Sequence, residues 1–262
     1  RLGRAHPDAI DSLDNLVILY ESWGKSHDAA MCRSRLADAQ SLWKEALAEE
    51  SAEFPSPITA SGSMEYDAVS DTYVIVGHGI DIWFDSDEFH YAYKTLDGDG
   101  SIALRIDSVE AAHPWTKAGI MIRSATDPNA IFAAVYITPP KRVCFQYRLA
   151  KGQDTLGITT DPNAVSLPHW IKLIRQRDTF TAQHSTDGRR WENLQGRDFG
   201  PSSEAIGPAI TDIAMSKKAL IGMAVTSHTF PPVTARAKMS HVSVTGHVEP
   251  EGDFEHSEDI GF

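Results

Sequence analysis

The hydrophobic pattern of the chain changes period near residue 55. Between residues 7 and 50 apolar positions recur every three or four residues, and beyond 64 they recur every second one. In the first stretch Ile10, Leu13, Val17 and Tyr20 share one helical face. Pro7 suits a first helical turn, and Asp8 and Asp11 suit its positive end. Gly24 offers a left-handed cap, and Ser26 opens a second helix with the stripe Ala29, Cys32, Leu36, Ala39, Trp43 and Ala46. Residues 1–50 are therefore expected to form an αα-hairpin.

A linker is expected over 51–63. Phe54-Pro55-Ser56-Pro57 cannot continue a helix, and Ser61-Gly62-Ser63 adds turn formers. Strands are predicted at 72–76, 88–95, 101–109, 117–124, 131–138, 142–150, 169–175, 178–184, 219–227 and 235–245. The breaks between them carry turn chemistry, as in Asp97-Gly98-Asp99-Gly100, Asp161-Pro162-Asn163 and Asp187-Gly188. In 117–123, Ala118, Ile120 and Ile122 alternate with Lys117, Gly119, Met121 and Arg123. In 142–149, Val143, Phe145, Tyr147 and Leu149 alternate with Arg142, Cys144, Gln146 and Arg148. One face is expected to be buried and the other polar. So many strands without intervening helices predict a mainly β fold, an antiparallel two-sheet sandwich over 64–247.

Charge refines this picture. The net charge is −12. Residues 249–262 carry six acids and no Lys or Arg, and the sequence predicts a solvated, disordered acidic tail over 248–262. Nothing resembles the basic stripe that phosphate neutralisation needs, so nucleic acid is not an expected partner. No apolar run reaches the roughly 18 residues of a membrane span. The chain begins with Arg rather than Met and is taken as part of a longer protein, so its compartment, extracellular, cell-envelope or cytoplasmic, stays open. Cys32 and Cys144 fall in different regions and are expected to be small buried residues, not a disulfide or a zinc site.

Two resemblances follow from particular runs of residues. The run His6 to Tyr20, followed by Gly24-Lys25 and Asp28-Ala29, resembles a tetratricopeptide repeat of the kinesin light chain type, although His27 and Met31 depart from the pattern. One repeat cannot bury its own apolar face, so the resemblance implies further repeats upstream and protein partners bound through them. The second resemblance spans roughly 61–246. Gly79-Ile80-Asp81-Ile82-Trp83, Asp87-Glu88-Phe89-His90-Tyr91, Trp115 to Arg123, Phe145-Gln146-Tyr147-Arg148, Trp170-Ile171-Lys172-Leu173 and Ile221 to His228 occur in the order of a concanavalin A-like lectin/glucanase module of the jelly-roll, laminin G-like type. That likeness implies a fold and leaves function open, because the fold hosts lectins, hydrolases and adhesion modules.

Glycosidases need two carboxyl groups across the scissile bond. No strand carries two glutamates around an aspartate at alternating positions, and Asp85, Asp87 and Glu88 are expected in an exposed turn. A non-catalytic module is therefore expected, with carbohydrate recognition at the C-terminal end of a larger, bacterial repeat protein as its function. The alternative is a protein-interaction or sensory terminus of a signalling scaffold with a kinase upstream; a glycoside hydrolase ranks third. The ligand candidates on the concave face are His90, Trp115, Lys117, Arg123, Tyr136, Gln146 and Arg148. Against this, Trp115 can plug an end of the sandwich and Arg123 can pair with Asp87 or Glu88. No cofactor is expected. Asp97 and Asp99 form a weak calcium candidate, explained more simply by a hairpin turn. Ser185 to Trp191 reads as a turn whose Trp191 covers the core, and the histidines, His169 and His184 among them, show no metal spacing.

Overall fold

The structure, a computed structural model, describes residues 13, 16–17, 19–20, 23–53, 61–139, 141–198, 205–229, 232–254 and 256–261, with backbone alone for 40, 42–53, 198 and 205–206. Two compact units divide the chain, Arg1–Thr59 with Arg197–Glu204 and Ala60–Gly196 with Ala205–Phe262.

In the first unit, helix α1 spans Ser26–Glu53. Gly24 has φ 65°, and the Lys25 N–H donates to the Tyr20 carbonyl at 2.9 Å, which closes the preceding helical turn as a left-handed cap. Ala29, Cys32, Leu36 and Ala39, the described part of the predicted stripe, are buried, as is Val17. Most of the first predicted helix, and the side chains of Trp43 and Ala46, lie outside the described residues. α1 runs three residues into the expected linker, since no breaker precedes Phe54-Pro55.

The second unit is a β-sandwich. Its main strands are β1 Ser63–Asp67, β2 Thr72–Gly77, β3 Phe89–Glu110, β4 Lys117–Arg123, β5 Phe132–Thr138 and β6 Arg142–Arg148. They continue as β7 Leu156–Thr159, β8 His169–Gln176, β9 Thr179–Ser185, β10 Lys218–Thr226, β11 Ala235–Glu249 and β12 Ser257–Ile260. All pairings are antiparallel. One layer runs β12, the first half of β3, β10, β4, β5, β6 and β7. The other runs β1, β2, β11, the second half of β3, β8 and β9.

β3 therefore belongs to both layers, and the predicted hairpin at Asp97-Gly98-Asp99-Gly100 is corrected. These residues lie inside one 22-residue strand. Gly98 at φ 86° lets the strand bend from one sheet into the other, which a residue with a Cβ would resist. Asp97 pairs with Lys217 at 2.9 Å, and Asp99 accepts the Arg177 N–H at 2.6 Å. Among the described residues no group of three or more metal-ligating side chains forms.

The layers enclose the predicted alternating residues. Ala118, Ile120 and Ile122 of β4, Val143 and Phe145 of β6, and Ile221 and Met223 of β10 pack with Ile102 and Leu104 of β3, Ile171 and Leu173 of β8, and Ile75 of β2. The disordered tail is also corrected. β12 pairs with β3 from Phe89 to Ala92, and Phe254 is buried in the core. The tail's acids act as anchors there: Tyr73 donates to Asp253, and Tyr93 donates to Glu258 at 2.7 Å. Trp191 turns away from the core and meets the half-buried Trp170 edge-on, with ring centroids 6.4 Å apart.

Candidate functional site

Strand register lays out the far face of the first layer as four rows. Lys117 lies across from Thr226, and Thr138 across from Arg142. Gly119 stands beside Ala224 and Tyr136, with Cys144 and Thr159 beyond. Met121 stands beside Gly222 and Ala134, with Gln146 and Gly157 beyond. Arg123 stands beside Leu220 and Phe132, with Arg148 beyond. A Cβ on Gly119 or Gly222 would come within 2.0 Å of a neighbouring strand's carbonyl oxygen. Glycine thus permits the close approach of strands across this face.

The face was expected to be open and polar. It is covered instead: Ile82, Phe89, Tyr91, Met121, Phe132, Ala134, Tyr136, Ala224 and Ile260 form a second buried apolar cluster. The cover is a strap formed by residues 79–88, whose short ladder pairs Ile82 with Asp87 and Trp83 with Ser86. Its two aspartates seize the basic side chains that the sequence offered to a ligand.

At one end the Asp87 carboxylate, wholly buried, is shared by two wholly buried guanidiniums. Arg148 grips it from two nitrogens at 2.7 and 2.8 Å, and Arg123 donates to it at 3.1 Å. Other guanidinium hydrogens go to carbonyls, from Arg148 to Phe84, Ala130 and Gln153 and from Arg123 to Ala125 and Asp127, and Arg123 also faces the Met121 sulfur at 3.5 Å. Each guanidinium also lies over a ring, Arg123 5.1 Å from Phe89 and Arg148 5.0 Å from Phe132. Charge and hydrogen-bonding capacity are thus met within the fold. The pairing of Arg123 with Asp87 is the alternative that the sequence also allowed, and the exposed turn expected at Asp87 is corrected: the residue is buried because two arginines need its charge.

The other end of the strap is less enclosed. Lys117 Nζ reaches Asp81 Oδ1 at 2.5 Å and the Ile82 carbonyl at 2.9 Å, and lies 5.5 Å from the Trp83 ring. His228 Nδ1 stands 3.3 Å from the same Asp81 oxygen, and its ring stacks on His113 at 4.4 Å. Burial pushes the Asp81 carboxyl up, but Lys117 and His228 outweigh it and hold the group well below the usual carboxylate range. Beside this cluster Arg142 lies 5.2 Å from the Trp115 ring. Trp83, Trp115 and Arg142 are half-buried.

The seven sequence candidates thus separate. Arg123 and Arg148 hold the strap. Lys117 lies at the less enclosed end, and the Trp115 backbone N–H donates at 3.1 Å to His113, whose ring stacks on His228 of that cluster. Tyr136 and Gln146 are buried between the two ends. His90 lies away from them, where its Nδ1 meets Asp259 of β12 at 2.8 Å, alongside His78 at 3.3 Å. Sequence reasoning did not select Asp81, Trp83, His113, Arg142 or His228 as site residues. Asp81-Ile82-Trp83 and His228 already stood within the runs that suggested the fold, but nothing in their spacing joined loops about 30 to 150 residues apart.

No protein-family model matches the chain, and no curated protein does. Solved structures do. A functionally unknown protein from Saccharomyces cerevisiae aligns with 73% of this chain and 99% of its own, at 13% identity and a TM-score of 0.51. An alginate lyase from Klebsiella pneumoniae aligns with 58% of this chain and 61% of its own, at 14% identity and a TM-score of 0.38. A GH43 protein from Bacillus licheniformis aligns with 57% of this chain and 28% of its own, at 14% identity and a TM-score of 0.38. Identities this low show a shared fold alone. The expectation of a non-catalytic module is corrected to this extent: the solved structures that the chain matches include an alginate lyase and a GH43 protein.

Proposed function

We propose that the sandwich recognises carbohydrate, and that the sugar lies at the Asp81 end of the strap-covered face. One observation carries this reading: two half-buried indoles each stand beside a cation, Trp83 5.5 Å from Lys117 Nζ and Trp115 5.2 Å from the Arg142 guanidinium. Indole faces stack on the C–H faces of pyranose rings, and planar polar groups such as the Arg142 guanidinium fix their hydroxyls. The opposite end offers a ligand nothing, since Asp87 holds Arg123 and Arg148.

A wider placement, at the C-terminal end of a repeat-containing scaffold, rests on the resemblance of residues 6–29 alone. A glycan array with the full chain tests the main reading. Binding to at least one glycan class is expected, weakened about tenfold by Trp83→Ala or Trp115→Ala, as about 1.4 kcal/mol of lost stacking predicts. Silence across the array, or binding indifferent to both substitutions, overturns it.

A further inference from the structure

Like Thr138 on the same face, whose Oγ1 is also buried without a partner among the described residues, Tyr136 and Gln146 carry unmet polar atoms. Both are at most 1% exposed, yet Tyr136 Oη and Gln146 Oε1 find no hydrogen-bond partner among the described residues. Buried polar groups are ordinarily satisfied, and an exception calls for a specific cause. Here the cause is visible. The two side chains occupy adjacent rows on adjacent strands, flanked by Gly119, Ala134 and Gly157, which carry no polar side chain, and by Cys144, whose thiol lies 3.3 Å from the Thr159 hydroxyl. Tyr136 belongs to the same buried apolar cluster as Ile82 of the strap.

The strap is also uneven along its length. Phe84, a residue with a Cβ, is held at φ 44°, and Gly79 stands at φ 113°. Non-glycine residues adopt such angles only where their surroundings force them. Beyond Phe84 the Asp87 end is fixed by two buried arginines. Before it, Asp81 and Trp83 are joined to the sheet through Lys117, beside half-buried surface.

We infer that residues 80–83 form a lid over a sugar site whose floor is Tyr136 and Gln146, and that the occupant is the terminal residue of a neutral glycan. This rests on the carbohydrate reading above and extends it. Gln146 Oε1 only accepts, whereas Tyr136 Oη both donates and accepts. Neighbouring hydroxyls of an uncharged sugar supply both roles, while a carboxylate leaves Gln146 Oε1 unmet. The strap is fastened to this face of the sheet at both Asp81 and Asp87, so a polymer laid across the face would meet it, whereas a chain end can approach from the Trp83 side.

The test compares Tyr136→Phe with the unaltered full chain in two assays. In thermal unfolding, removing a hydroxyl that lacks a protein partner leaves the midpoint unchanged or raises it. A midpoint lowered by several degrees means the hydroxyl is held by the fold, and overturns the inference without any glycan. In binding, a panel of linear neutral oligosaccharides is set against a cyclic glucan, which has no ends. The unaltered chain is expected to bind a linear member at least tenfold more tightly than the cyclic one, and Tyr136→Phe to lose at least tenfold of that affinity. Equal binding of linear and cyclic glucans, or full binding by Tyr136→Phe, overturns the lid-covered end site while the carbohydrate reading stands. An unaltered chain that binds no glycan at all overturns the carbohydrate reading itself.

Discussion

The two ends of the strap use the same chemistry to different effect. Each sets a strap aspartate against basic side chains rising from the strap-covered sheet. At Asp87 the carboxylate and both guanidiniums are wholly excluded from solvent. At Asp81 the ammonium is buried but the carboxylate side chain keeps 14% of its surface exposed, and half-buried indoles stand alongside. Burial, more than residue type, separates a fastening from a site. Breaking a sealed pair strands a charge where water cannot reach it, whereas breaking a marginal one lets water take over.

The largest effect that could break this comparison is the removal of Asp87. Asp87→Ala leaves Arg123 and Arg148 buried without a counter-charge, and about 3–5 kcal/mol of stability should be lost in denaturant unfolding. A loss below about 1 kcal/mol would show the two ends to be alike. Asp81→Asn should cost less, about 1–2 kcal/mol, because the amide oxygen still accepts from Lys117, which also keeps the Ile82 carbonyl. An equal or greater cost than at Asp87 would reverse the assignment.

Acid sharpens the contrast. The Asp81 carboxyl titrates below its unfolded value of about 3.9, so its contribution is complete above that pH and is lost as pH falls through the lower folded value. Asp259 behaves in the same way: burial raises its carboxyl, but hydrogen bonds from His78, His90 and the Gly62 N–H outweigh that and hold it low. Stability measured against pH should therefore decline below about pH 4, and Asp81→Asn should flatten that limb. An unchanged limb would mean that Asp81 carries no linkage. The smallest expected effect on stability is that of Trp115→Ala, below about 1.5 kcal/mol, with the change falling on glycan binding instead. A stability loss of several kcal/mol would make Trp115 a structural plug, as the sequence also allowed.

The sandwich was legible because two-residue alternation survives in β4 and β6, whose inward residues sit in the core as expected. The polar side of that alternation was misread. Arg123, Gln146 and Arg148 do point away from the inter-sheet core, but sequence periodicity carries no signal for a segment of the same chain, from Ile82 to Asp87, lying on top of them. The acidic tail misled for a related reason. Its charges suggest solvation until Asp259 is set against His78 and His90, some 170 to 180 residues earlier. The turn glycine Gly98 was recognised, but its positive φ bends one strand between sheets rather than closing a hairpin, and composition is the same for both. At the candidate site, Lys117 and Trp115 were found because they sit on or beside a strand with a clear period. Asp81, His228 and Arg142 reach the cluster from segments that only the folded sheet brings together.

Amide hydrogen exchange of the full chain tests the difference between the two strap ends most directly. The Asp87 N–H donates to the Pro128 carbonyl at 2.9 Å, and the Ile82 N–H donates to the Asp81 carboxylate at 2.7 Å. If one end is sealed and the other a lid, Asp87 should exchange only with global unfolding, while Ile82 and Trp83 exchange at least tenfold faster through local opening. Equal protection at both ends would contradict the account.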